Sequence, residues 1–322
     1  MKKILTTLIA LLSILSMQAQ TIDNPDTLVV ARDGTGQYRN IAEALEVCRA
    51  FMDYHKVIFV KKGVYKEKLV IPSWLTNIEI LGESRDETII TYDDHANIKD
   101  PQIPNTSKKI GTFRTFTVRI DASDILIQNI TIENAAPKLG QAVALHTEGD
   151  RIKFVNCRFL GNQDTIYTGR ANTRLFFKDC YIEGTTDFIF GPSTAWFENC
   201  DIFCKVNSYI TAASTPKDIQ YGYVFNNCHV TVADVVDKMF LGRPWRSYAY
   251  TLFMNCDLPK GIRAEGWNNW SNKENEKTAR YMEYNNRGEG ASTKERAPWI
   301  KILTKKEAAK ITISEVLGDW CL

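Results

Sequence analysis

One short pattern recurs five times in this chain and constrains its fold more than any other feature. The motif Phe-x-Asn/Asp-Cys stands at 154–157, 177–180, 197–200, 225–228 and 253–256. Its cysteines, Cys157, Cys180, Cys200, Cys228 and Cys256, are spaced 23, 20, 28 and 28 residues apart. A period of roughly 20–30 residues marks a stacked-repeat architecture. The units carry runs rich in Ile, Val, Phe and Tyr, such as Arg151–Phe159 and Thr173–Glu183, broken by Gly, Asn and Asp. Those are strand signals. The units have no room for two helices each, and no regular leucine frame exists. The expected fold is therefore all-β, a parallel β-helix whose neighbouring coils lie ~4.8 Å apart.

The ladder extends upstream with less fidelity. Asn129 lies 27 residues before Asn156, and Asn77 lies 52 residues earlier again, a distance of about two coils. Stacked Asn side chains can hydrogen-bond from coil to coil and so satisfy polar groups that are costly to bury. A solenoid must also cover its ends. The segment Asn40–Phe51 predicts an amphipathic N-terminal capping helix, with Ile41, Ala44, Leu45, Cys48 and Phe51 on one face. Thr304-Lys305-Lys306-Glu307 matches a capping box and predicts a short C-terminal helix. The polar stretches Asp93–Lys109 and Asn268–Arg280 are expected to be surface loops.

The chain opens Met1-Lys2-Lys3, follows with an apolar run from Ile4 to Leu15, and reaches Ala19 through Ser16-Met17-Gln18. That is the layout of a secretory signal peptide, expected to span 1–19 and leave one domain over 20–322. The apolar run is too short to cross a membrane. The whole chain has 40 basic and 38 acidic residues. Removing 1–19 takes two lysines and no acid, which leaves the mature charge near zero. That balance argues against a nucleic-acid partner; an anionic polysaccharide met in a locally basic groove stays open. Eight cysteines in an exported chain raise the disulfide question. One coil rise suits a disulfide. The closest ladder pair, Cys180 and Cys200, is the expected bridge, set against a ladder of reduced core thiols. Cys48, Cys204 and Cys321 have no evident partners.

The candidate chemistry rests on carboxylates. Asp164 follows Cys157 by 7 residues and Asp187 follows Cys180 by 7, so stacked repeats stack the two aspartates. The four histidines, His55, His95, His146 and His229, form no zinc spacing. No Gly-x-Ser-x-Gly elbow and no phosphate-binding loop occurs. Taken alone, the residues point to a two-carboxylate site on a β-helix.

Four segments go further: Gln141-Ala142-Val143-Ala144-Leu145, Gly161-Asn162-Gln163-Asp164-Thr165, Asp187-Phe188-Ile189-Phe190-Gly191 and Leu241-Gly242-Arg243-Pro244-Trp245. Together they resemble the pectin methylesterase (pectinesterase) family, carbohydrate esterases with a right-handed parallel β-helix. Gly63-Val64-Tyr65-Lys66-Glu67 and Glu265-Gly266-Trp267 with Trp270 resemble its terminal blocks, so the likeness covers roughly 27–320. The Cys180/Cys200 spacing also matches a cysteine pair common in the family. The resemblance implies Asp187 as nucleophile, Asp164 as general acid and then base, Arg243 as the partner of Asp187, and Gln163 and Gln141 as oxyanion donors, with no metal or cofactor. It implies Trp245 and Phe190 as sugar- and ester-facing aromatics, with Tyr167 and Trp267 as further groove residues. The implied substrate is methyl-esterified pectin, taken by a monomer. His146 stands where many plant members carry Arg, and Thr211-Ala212-Ala213-Ser214 looks more like bacterial members. A β-helical pectin glycosidase, a pectate lyase and a non-catalytic carbohydrate-binding solenoid are the competing readings.

Overall fold

The computed structural model describes residues 26–318 other than 104, together with 320. The proposed signal peptide and Cys321 lie outside the described residues. The chain winds as a parallel β-helix with one 11-stranded and two 7-stranded sheets, whose strand pairs are all parallel. One coil shows the plan. Ile152–Val155 lies in the long sheet, Arg158–Leu160 in the second and Ile166–Thr168 in the third, before the chain returns to the long sheet at Arg174–Lys178. The run Arg151–Phe159 is thus two strands broken by a sharp turn at Asn156, not one.

The recurring motif builds that turn. Its Phe residues form the core stack: Phe154, Phe177, Phe197, Phe225 and Phe253 follow one another at centroid distances of 4.7, 4.6, 4.4 and 4.3 Å. The Asn/Asp position takes left-handed backbone, with φ of 51° at Asn156, 54° at Asp179, 52° at Asn199, 54° at Asn227 and 57° at Asn255. Asn and Asp tolerate that region better than other non-glycine residues. Their side chains then bond between coils: Asn156 Nδ2 donates to Asn129 Oδ1 at 2.8 Å and Asn199 Nδ2 to Asp179 Oδ1 at 2.6 Å.

Four expectations need correction. Asn77 does not join this ladder. Ile78 pairs directly with Ile125, so Asn77 stands at the start of its strand and Gly82 opposite Asn129. The loop between Tyr92 and Val118 supplies the extra length that looked like a second coil. Cys180 and Cys200 are free, buried thiols. Each Sγ donates to the backbone carbonyl of the preceding coil, Phe154 and Phe177 respectively, at 3.7 Å, so the ladder is a reduced one. The N-terminal capping helix is shorter than expected, Ile41–Glu46, with Ile41, Ala44 and Leu45 buried. Phe51 lies past its end at φ 53° and is 78% exposed. The fourth, Trp267, concerns the site.

Glu67 explains its own place in the N-terminal block, because its carboxylate accepts from the free amides of Ile41 and Ala42 at the helix start. The C-terminal capping box is present, opening the helix Lys305–Ala308. A second short helix, Ile313–Leu317, packs Val316 and Leu317 against an apolar layer containing Phe176 and Trp196 on the outside of the long sheet.

Candidate active site

The third sheet carries the site on its outer face. Its register aligns Arg119, His146, Tyr167, Phe190, Ala212 and Arg243 in one row across six coils. Asp164 and Asp187 sit in the turns that enter this sheet, two residues before Ile166 and Ile189, which pair with each other. The aspartates therefore occupy the same place on successive coils, as their spacing predicts. Both have left-handed backbone, φ 67° and 50°. The turns are tight: a Cβ on Gly184 would meet the Cβ of Phe188 at 2.2 Å, which fixes the path of the chain three residues before Asp187.

A cavity of about 250 Å³ opens over these turns, lined by Gln141, Gln163, Asp164, Asp187, Phe190, Arg243 and Trp245 among others. The sequence thus placed its five polar candidates and two main aromatics in one pocket. Arg243 grips Asp187 with a two-pronged fork, Nε to Oδ1 at 2.9 Å and Nη2 to Oδ2 at 2.6 Å. Such bidentate charge-assisted pairs fix orientation as well as charge.

The two carboxyls are electrostatically unequal. Burial, and then the charge of Asp187, push Asp164 well above the usual carboxylate range, only partly opposed by Arg243. Asp187 is raised by burial too, but the Arg243 hydrogen bonds and charge pull against it. Of the two, Asp164 is the one pushed further toward its protonated form, while the Arg243 fork holds Asp187 toward the anion.

The aromatic expectations divide. Phe190 and Trp245 line the cavity, edge to face at 5.8 Å. Tyr167 lies beside it, stacked on Phe190 at 4.7 Å, with Phe113 tilted against it at 4.8 Å. Trp267 does not reach the groove. It is 2% exposed, its Nε1 donates to Glu283 Oε1 at 2.9 Å, and it packs on Tyr281 inside the helix. Its strand register explains why: Trp267 pairs with Gly242, an inward position, whereas the outward neighbour is Arg243. Trp270, from the loop that follows, lines the cavity instead. Sequence reasoning also missed Thr112 and Phe113, which enter from the 93–117 loop. Neither lies on a coil, so the repeat gave no signal for them. His146 bonds Glu148 Oε1 through Nε2 at 2.7 Å and meets Tyr167 edge to face at 4.8 Å.

The family model for pectinesterase matches residues 27–319. The chain belongs to the pectinesterase family. It is 37% identical over 281 residues to pectinesterase 31 of Arabidopsis thaliana, spanning 87% of this chain and 88% of that protein. It is 36% identical to a probable pectinesterase/pectinesterase inhibitor of Brassica napus, spanning 88% of this chain but 49% of that longer protein. The chain thus spans about half the length of that relative. Among solved structures, pectin methylesterase from carrot superposes with a TM-score of 0.82 at 31% identity, covering 90% of this chain and 93% of that one. These relatives are plant proteins; the pectin methylesterase PemA from Erwinia chrysanthemi superposes as well, with a TM-score of 0.79 at 32% identity, covering 91% of this chain and 97% of that one.

Proposed function

We propose that this protein hydrolyses the methyl esters of galacturonate residues in pectin, leaving pectate and releasing methanol, with Asp187 as nucleophile. One observation carries the assignment of roles: of two stacked carboxyls in one cavity, Arg243 forks onto Asp187 while Asp164 is pushed toward its protonated form. The anionic Asp187 attacks the ester carbonyl carbon. The resulting oxyanion receives amide N–H bonds from Gln163 and Gln141, which line the same pocket. A single such donor is worth on the order of 3 kcal/mol. As the tetrahedral centre collapses, the C–O bond to the methoxy group breaks and Asp164 passes it a proton, so methanol leaves. An anhydride now joins Asp187 to the sugar carboxyl. Asp164, now a carboxylate, takes a proton from water as the water attacks that anhydride. Collapse frees pectate and returns Asp187 as the anion and Asp164 as the acid. Trp245 and Phe190 supply the apolar walls for a pyranose ring and its ester methyl.

Residues 1–19 act in this reading as an export signal ahead of one catalytic domain over 20–322, and the enzyme works outside the cytoplasm as a monomer. Among the described residues no helix is long and apolar enough to cross a membrane. The test is methanol release from highly methylated pectin, with and without EDTA, for wild type and Asp187→Asn. EDTA-independent methanol that disappears in the variant supports the assignment. Pectin that shortens without methanol favours the glycosidase or lyase reading instead, and no reaction at all leaves a binding solenoid.

A further inference from the structure

Arg243 is held on both faces as well as at its tip. Its guanidinium carbon lies 4.0 Å from the ring centroid of Tyr209 and 3.7 Å from that of Trp270. Tyr209 comes from the coil directly after Asp187, and its backbone carbonyl accepts from the Asp187 amide at 2.9 Å. Trp270 comes from outside the coil stack, on the loop between Trp267 and the strand Arg280–Tyr284. Two consecutive non-glycine residues there, Trp270 and Ser271, take left-handed backbone at φ 60° and 55°. The side chain of Asn268 holds the bend by accepting from the Trp270 amide at 2.8 Å. Strain of this kind persists only where the surroundings impose it.

We propose that Trp270 is a positioning residue that, with Tyr209, clamps the Arg243 guanidinium in the plane where its fork meets both oxygens of Asp187. The proposal rests on the catalytic roles assigned above and adds what keeps them apart. A lone arginine on a flexible stem loses rotamer freedom to hold a bidentate pose, and two aromatic faces remove that freedom in advance while favouring the cation. The Trp270 ring also takes the place of water against the guanidinium, in a pair whose side chains are only 20% and 9% exposed, and a lower local dielectric strengthens such a pair. The titratable and charged groups facing Arg243 are Asp187, Asp164, Tyr209 and Tyr281, and only Asp187 bonds to it directly.

The test compares Trp270→Leu, which keeps apolar bulk without a π face, with Trp270→Phe, which keeps a smaller face. The readout is the pH dependence of kcat/KM, whose acid limb reports ionisation of the nucleophile in the free enzyme. Trp270→Leu should lower kcat roughly tenfold, the scale of a desolvated cation–π contact. It should also move the acid limb to higher pH, because Arg243 then opposes the burial of Asp187 less well. Trp270→Phe should recover the limb in large part. A rise in KM with the acid limb unmoved would overturn the proposal, making Trp270 only a wall for the sugar. Equal behaviour of the Leu and Phe variants would overturn it as well. A 13C titration of the Asp187 carboxyl in wild type and Trp270→Leu, both checked for a native melt, reads the clamp without turnover. If wild type releases no methanol the catalytic assignment fails, and this titration still decides the clamp: an upward shift in the variant supports it and no shift sinks it.

Discussion

Arg243→Lys isolates what the fork contributes beyond its charge. The lysine ammonium keeps the positive charge, but as a single point it cannot satisfy both Asp187 oxygens in the plane of the carboxylate. Arg243 makes two bonds, at 2.9 and 2.6 Å, with the Asp187 side chain 9% exposed, so little water is at hand to replace a lost one. A hydrogen bond to a charged group contributes about 1.5–3 kcal/mol. If one is lost and the loss falls on the transition state, kcat/KM drops by roughly 10- to 150-fold, since about 1.4 kcal/mol is tenfold in rate. The acid limb of the profile should rise with it, because Arg243 is the group that opposes burial at Asp187. Arg243→Met removes the charge too and should be worse still. The assay is initial-rate methanol release across pH on one batch of highly methylated pectin, with thermal melts to confirm folding. Activity of Arg243→Lys within about threefold of wild type, or equal losses in the Lys and Met variants, would refute the argument that geometry, rather than mere charge, is at stake.

Other consequences follow from the same structure. Asp164 is held above its unfolded value, so between the two values the native state keeps a proton that the unfolded chain has lost; stability is full below the unfolded value and falls as pH rises through that window. Asp164→Asn should therefore be inactive yet melt higher than wild type at pH 7, with the gap shrinking toward pH 4; a lower melt at pH 7 contradicts this. Asn156→Ala should cost about 2–3 kcal/mol, one part from placing Ala at φ 51° and one from the lost bond to Asn129, whereas Asn156→Gly should cost only about 1 kcal/mol; urea denaturation of both separates the terms. Cys180 and Cys200 should resist iodoacetamide in the native protein and both be alkylated after unfolding without reductant. A pair left unmodified, read by intact mass, would mean a bridge formed after all.

Much of this molecule is written in short-range pattern. The Phe stack, the left-handed Asn positions and the two aspartates follow from a motif that repeats once per coil, since stacking makes residues about one period apart into neighbours. That is why Asp164 and Asp187 could be paired without a structure. Arg243 lies 56 residues after Asp187, and its place was legible only through the Gly-Arg-Pro-Trp resemblance. Coil length varies with insertions, so periodicity fades wherever a loop intervenes. The 93–117 loop hid the true register of Asn77 and delivered Phe113 unannounced.

What the sequence by itself determined is therefore the coil: which residues turn, which stack inside, and which carboxyls coincide. Only the tertiary structure decided what approaches the coil from outside it. Trp267 and Trp270 stand three residues apart in one polar segment, and nothing local says which faces the groove. The bridge from Trp267 to Gly242 turns the first ring into the core, and the left-handed bend after it lays the second on Arg243. The physical reason is common to these cases. A repeat fixes contacts between its own copies, whereas a loop's contacts depend on where the stacked coils have already put their outward side chains.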